Sequence, residues 1–120
     1  MSKKATTGAR ELEAAKRTVA RAHHELVLYI AGSTPQSMAA LSTIVALCKE
    51  RLLGRYTLRV VDVYVDPKQA RRDDVIVVPT LLKKRPLPQR RLVGDLSDRT
   101  QLLRGLGLSP SAKDDEKEAL

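Results

Sequence analysis

The chain has 120 residues, a net charge of +8 and 42% hydrophobic residues, with no Phe or Trp, three Tyr and one Cys. That length suits one domain with a single aliphatic core. A lone cysteine excludes an internal disulfide and any paired-thiol redox or zinc site, and no run of about 18 apolar residues could span a membrane.

The one thiol suits a reducing compartment, and the basic start Met1–Ser2–Lys3–Lys4 is not followed by the apolar stretch of a secretory signal, so a cytoplasmic protein is expected. The positive charge favours an acidic protein surface or a polyanion. It is scattered, and the aromatic platforms of single-strand binders are missing, so no nucleic acid partner is expected.

Residues 1–24 read as a basic extension, with a weak amphipathic helix from Ala9 to His23 carrying Leu12, Ala15, Val19 and Ala22. His23 and His24 lack a third ligand at suitable spacing and read as an exposed pair at a boundary, not a metal site. The domain is expected over 25–108. Leu26–Ala31 is a buried strand bounded by Gly32. A helix follows, capped either by Ser33 with Gln36 or by Thr34 with Pro35 at its first position. Met38, Leu41, Val45, Cys48 and Leu52 form its predicted apolar stripe, which makes Cys48 a packed thiol, and Gly54 is its stop.

Tyr56–Val65 is a second strand, completing a βαβ unit with parallel strands and a right-handed crossover. Asp66 caps a short helix from Pro67 to about Arg72. Val75–Lys84 is a third strand broken by Pro79, which fits an edge strand or a cis Val78–Pro79 bond. Arg85–Pro88 is a turn and Gln89–Val93 a fourth strand. Ser97 caps a last helix with Leu102, Leu103 and Leu106, ending at Gly105 or Gly107. Residues 109–120 are expected to be a disordered charged tail.

The turn Gly32–Ser33–Thr34–Pro35–Gln36–Ser37 sits where a thioredoxin-like chain would carry Cys-x-x-Cys, yet it holds no cysteine. The predicted globular part has no histidine. Its aspartates are Asp62, Asp66, Asp73, Asp74, Asp95 and Asp98, of which the last five have cap, turn or solvated helix-end roles. No phosphate-binding glycine loop occurs. A non-enzymatic protein without metal or cofactor is expected. The basic residues Arg59, Lys83–Lys84–Arg85 and Arg90–Arg91 are expected near one end of the sheet, where arginine suits bidentate pairing with acidic side chains.

Five blocks stand in order: Leu28–Tyr29–Ile30–Ala31–Gly32–x–Thr34–Pro35–x–Ser37, Val60–Val61–Asp62–Val63, Val78–Pro79–Thr80–Leu81, Pro86–Leu87–Pro88–x–Arg90–Arg91, and Gly94–Asp95–Leu96–Ser97–Asp98–Arg99. Together they resemble the circadian clock KaiB family, from about Glu25 to Leu108. The resemblance implies an α/β, thioredoxin-like fold in the order βαβαββα. It also implies a metamorphic chain, with an alternative ground-state arrangement of the C-terminal half.

Such proteins are non-enzymatic and dock on the N-terminal ATPase ring of a KaiC-type hexamer, timing its phosphorylation cycle. A homo-oligomer, dimer or tetramer, is implied for the ground state. Partner contacts fall on Arg59, Lys83, Arg90 and Arg91, and fold switching on Pro79 and Gly105. Gly105→Ala is then expected to favour helix and the binding form. The alternative is a sensor or adaptor docking on a histidine kinase, or acting in a stress response outside a clock. The chain departs from the family with Val27 in place of lysine, Ala39 of arginine, Gly107 of an acidic residue and His24 of an aromatic one.

Overall fold

The computed structural model describes residues 22–109, in which β1 His24–Ile30, α1 Pro35–Arg51, β2 Tyr56–Asp62, α2 Pro67–Arg72, β3 Thr80–Arg85, β4 Arg90–Leu92 and α3 Arg99–Leu106 follow one another. The predicted Ala9–His23 helix and the charged tail lie outside these residues, apart from Ala22, His23 and Ser109, none of which is helical. The strands form one sheet in the order β2-β1-β3-β4. β1 and β2 are parallel, as the βαβ reading requires, while β3 runs antiparallel to both β1 and β4.

Alternation along β1 sends Leu26, Leu28 and Ile30 into a core with α1 and α3, and Val27 and Tyr29 into a smaller core with Ala70 of α2. A strand covered on both faces reads as a continuous apolar run, and Leu26–Ile30 does. At its head the pattern misled. His24 belongs to β1 and is buried, not one of an exposed pair.

Of the two possible caps, α1 uses Thr34, whose hydroxyl accepts from Ser37 N, with Pro35 at the first position. Cys48 and Leu52 of the predicted stripe are buried as expected, but its start is one residue out of phase. Ser37 Oγ accepts the Ala31 N–H at 3.0 Å, which turns Ser37, Ala40, Ile44, Leu47 and Cys48 inward and leaves Met38 38% exposed. Strand β2 stops at Asp62, short of Val65. Asp62 Oδ1 accepts from Gly32 N at 3.1 Å and Tyr64 N at 3.0 Å, so the chain curls away and Tyr64 and Val65 are exposed.

Residues 75–79 leave the sheet, correcting the predicted long strand. Val75 N bonds back to Ala70 O at 2.9 Å, Thr80 Oγ1 donates to Val77 O, and β3 begins just after a cis Val78–Pro79 bond. β3 lies between β1 and β4 and is no edge. The last helix is capped by Asp98 instead of Ser97, because Asp95 Oδ1 engages Ser97 N at 3.0 Å and the Ser97 hydroxyl. It ends on Gly107, whose φ of 76° is the left-handed cap that glycine adopts without strain. No helix of the described residues is long and apolar enough to cross a membrane.

Candidate functional site

The sheet register places the candidate cations. Val27 pairs with Arg59 on one side and Leu82 on the other, and Leu82 pairs with Arg91. Arg59, Val27, Leu82 and Arg91 thus form one row across all four strands, on the α2 face, with an arginine on each edge strand. The neighbouring row runs Leu58, Leu26, Lys83 and Arg90 and faces α1 and α3. The four cations are therefore close in register near one end of the sheet, as expected, but alternation divides them between its two faces. Arg59, Arg90 and Arg91 are exposed, while Lys83 is buried.

Arg91 is held in place by the end of α2. The helix stops at Arg72, and Asp74 takes a left-handed φ of 54°, a conformation that Asp tolerates better than most residues. Arg91 Nη2 donates to Asp73 O at 2.7 Å and Nη1 to Asp74 O at 3.3 Å, a cation at the negative end of a helix. The Asp73 carboxylate turns inward. It accepts the hydroxyl of buried Tyr29 and, at 2.9 Å, Lys84 Nζ. Burial alone would raise this carboxyl, but those two hydrogen bonds hold it below its ordinary value. Tyr29 responds oppositely: burial first, then the Asp73 carboxylate, pushes its hydroxyl up to about 12.

Asp73 was expected at a solvated helix end, and the structure overturns that. Its partners Tyr29 and Lys84 lie 44 and 11 residues away, so no local sequence signal could reveal them. Sequence reasoning also missed an apolar strip beside this turn. Ile76 is 92% exposed, with Val77, Val78 and Val93 also exposed, because the segment reads as strand and does not pair as one.

Pro79 lines a groove of about 510 Å³ with Val78, Pro35, Gln36, Ala39 and the loop from Gly94 to Ser97. The groove lies at the start of α1, beside the turn without cysteine. Gly105 packs on β4: a Cβ there would stand 2.4, 2.9 and 3.2 Å from Cδ2, Cδ1 and Cγ of Leu92. The expectation that Gly105→Ala simply gains helix is therefore corrected, because close packing forbids the added methyl unless Leu92 moves. His23 Nε2 lies 2.8 Å from Thr57 Oγ1, while His24 Nδ1 lies 3.1 Å from Ala22 O, so the adjacent rings engage different neighbours.

Cys48 lies fully buried on α1, and burial pushes its thiol up to about 11. Disulfide exchange needs a thiolate attacker and a resolving partner. An insulin-reduction assay with dithiothreitol is therefore expected to match the protein-free blank. Turnover above the blank that disappears in Cys48→Ala would contradict this.

The pattern of the KaiB domain family matches residues 27–108. The circadian clock oscillator protein KaiB of Prochlorococcus marinus subsp. pastoris is 47% identical over 90 residues, covering 75% of this chain and 84% of the relative. The KaiB protein of a Synechococcus species is 45% identical over 94 residues, covering 78% and 86%. In three dimensions the chain resembles chloroplastic thioredoxin z, with a TM-score of 0.60 at 20% identity over 89% of this chain and 95% of that one. The N-terminal domain of Synechococcus elongatus SasA gives a TM-score of 0.52 at 22% identity over 88% and 90%. These likenesses show a thioredoxin-like fold.

Proposed function

This chain belongs to the KaiB family, and from that membership we propose that it is a non-enzymatic regulator that docks on the N-terminal ATPase ring of a KaiC-type hexamer and modulates its phosphorylation cycle. The observation that carries this reading is the placement of Arg59, Arg90 and Arg91. All three are exposed, all lie inside the matched region, and they occupy the two edge strands of the sheet. Each guanidinium carries five donors, and the carbonyls of Asp73 and Asp74 occupy only part of the Arg91 set. Acidic side chains on a partner would pair with the remainder. Lys83, being buried, serves this surface from behind Arg90.

Arg90→Ala is expected to weaken binding to a KaiC-type hexamer by about 2 kcal/mol, the usual loss at a central interface arginine. Arg59→Ala should weaken it less. Arg91→Ala should add local loosening of the turn at Asp73–Asp74 to the lost contact. Biolayer interferometry on immobilised hexamer, with circular dichroism as the folding control, reads all three. If every variant binds like the parent, the interface lies elsewhere.

A second, ground-state fold of the C-terminal half, gathered in a homo-oligomeric dimer or tetramer, completes the proposal. Pro79 and Gly105 are the positions where the two folds would differ, and two such folds need lie only a few kcal/mol apart. Docking on a histidine kinase is the alternative partner. It is favoured if the hexamer is ignored and a kinase sensor region is bound.

A further inference from the structure

We propose that β4 is an open edge, which an extended acidic segment of a partner protein joins as an added antiparallel strand. This deepens the docking reading of Arg90 and Arg91 and rests on it. The two arginines are adjacent in the strand, so alternation sends them to opposite faces of the sheet. A flat acidic surface laid on one face would meet only one of them. A strand laid along the edge of β4 would meet both.

The edge is free to accept it. β4 stands last in the sheet order, and among the described residues its backbone forms no backbone–backbone hydrogen bond outside the ladder with β3. Short, charged edges commonly block unwanted strand pairing. Here the charge also selects. A second copy paired two-fold about Arg91 would set arginine against arginine, and like charges directly opposite weaken a strand pair. Carboxylates at the same positions strengthen it. Arg91 is prepared for one: its bonds to Asp73 O and Asp74 O already fix the guanidinium, so little side-chain freedom is left to lose on binding.

The apolar strip adds a second element of choice. Val93 follows Arg91 by two residues, and with it lines a cavity of about 410 Å³ together with Asp74, Ile76, Val77 and Thr80. Ile76 is 92% exposed, and Val77 and Val93 are about half exposed, so a side chain can enter from outside. In an antiparallel added strand, the residue opposite Val93 comes two before the one opposite Arg91, and the residue opposite Arg90 comes one after it. The matching segment therefore reads apolar-x-acid-acid, with the apolar side chain in the cavity and one carboxylate on each face. Main-chain pairing supplies affinity, and these alternating side chains choose the partner.

The test uses peptides in place of the hexamer, so it is read apart from hexamer docking. The full ¹⁵N-labelled chain is titrated at fixed ionic strength with an end-blocked peptide of about ten residues carrying Val-Thr-Asp-Asp at its centre. Saturable amide shifts confined to β4, Val93 and residues 74–77 are expected, with slowed hydrogen exchange in β4. Moving the last acid one position along, to Val-Thr-Asp-Thr-Asp, keeps the charge but puts both carboxylates on one face, and should weaken binding about fivefold. N-methylation of alternate peptide amides should abolish binding in one phase and spare it in the other, as a one-sided ladder requires. Arg90→Gln, at an exposed position, should weaken the first peptide about fivefold and erase the difference between the two. Ile76→Ser should weaken the valine peptide and leave one with threonine in its place unchanged. Peptide binding without hexamer binding would keep the edge and reject only the hexamer. No saturable shift, equal affinity for the two acid spacings, or indifference to Arg90→Gln and to N-methylation in both phases would overturn the added strand.

Discussion

Asp73→Ala is expected to destabilise the protein by about 2 kcal/mol. The carboxylate is the shared acceptor of the Tyr29 hydroxyl and the Lys84 ammonium. Removing it leaves the buried Tyr29 hydroxyl only the Gln69 carbonyl, 3.3 Å away, which costs about 1–2 kcal/mol, and unpairs a lysine that is partly exposed and so adds little. Tyr29→Phe should cost only about 1 kcal/mol, because it removes the donor and leaves Asp73 to Lys84. The double variant should fall short of the sum, as neighbours in one network do. Urea unfolding of the four proteins measures this.

The same carboxyl sets an acid limit. Asp73 is held below its ordinary value of 3.8 in the folded chain, so it binds protons more weakly folded than unfolded. Its contribution is therefore complete above that value and is lost as pH falls through the lower, folded one. Asp73→Ala should flatten the stability profile in that acid window alone.

Gly105→Ala is expected to destabilise this arrangement by up to about 2 kcal/mol, despite the helix propensity of alanine. The added methyl meets three side-chain atoms of Leu92, and overpacking of that kind costs about 1–3 kcal/mol against a helix gain of about 1. Shortening Leu92 should reverse the sign. In a Leu92→Ala background, Gly105→Ala should stabilise by the propensity alone, about 1 kcal/mol. Thermal unfolding of the four-protein cycle reads the reversal. A gain from Gly105→Ala in the parent would mean Leu92 swings aside freely.

What could be read from the sequence was the part governed by short-range chemistry. The Thr34–Pro35 start, the Asp66 cap before Pro67, the Gly107 stop and the βαβ unit each depend on residues a few positions apart. The errors fall where distant groups compete. Ser37 bonds back to Ala31 and turns the start of α1 by one position, and Asp62 ties the end of β2 to Gly32. Pro79 was correctly marked as a break, but Val75–Val78 were too apolar to be read as anything except strand. At the candidate site, the sequence singles out the arginines but does not show their division between two faces. Alternation assigns adjacent Arg90 and Arg91 to opposite faces, and only the pairing partners Lys83 and Leu82 show which is which. His24 was misplaced because a histidine beside an extension looks solvated until the strand that claims it is seen.

The most direct test of the proposed role is co-sedimentation of the full chain with a KaiC-type ATPase assembled as hexamers in ATP. The chain is expected to travel with the hexamer in a saturable complex, and Arg90→Ala should shift saturation to higher concentration. A chain that stays at its free size while the hexamer sediments intact would contradict the proposed regulator.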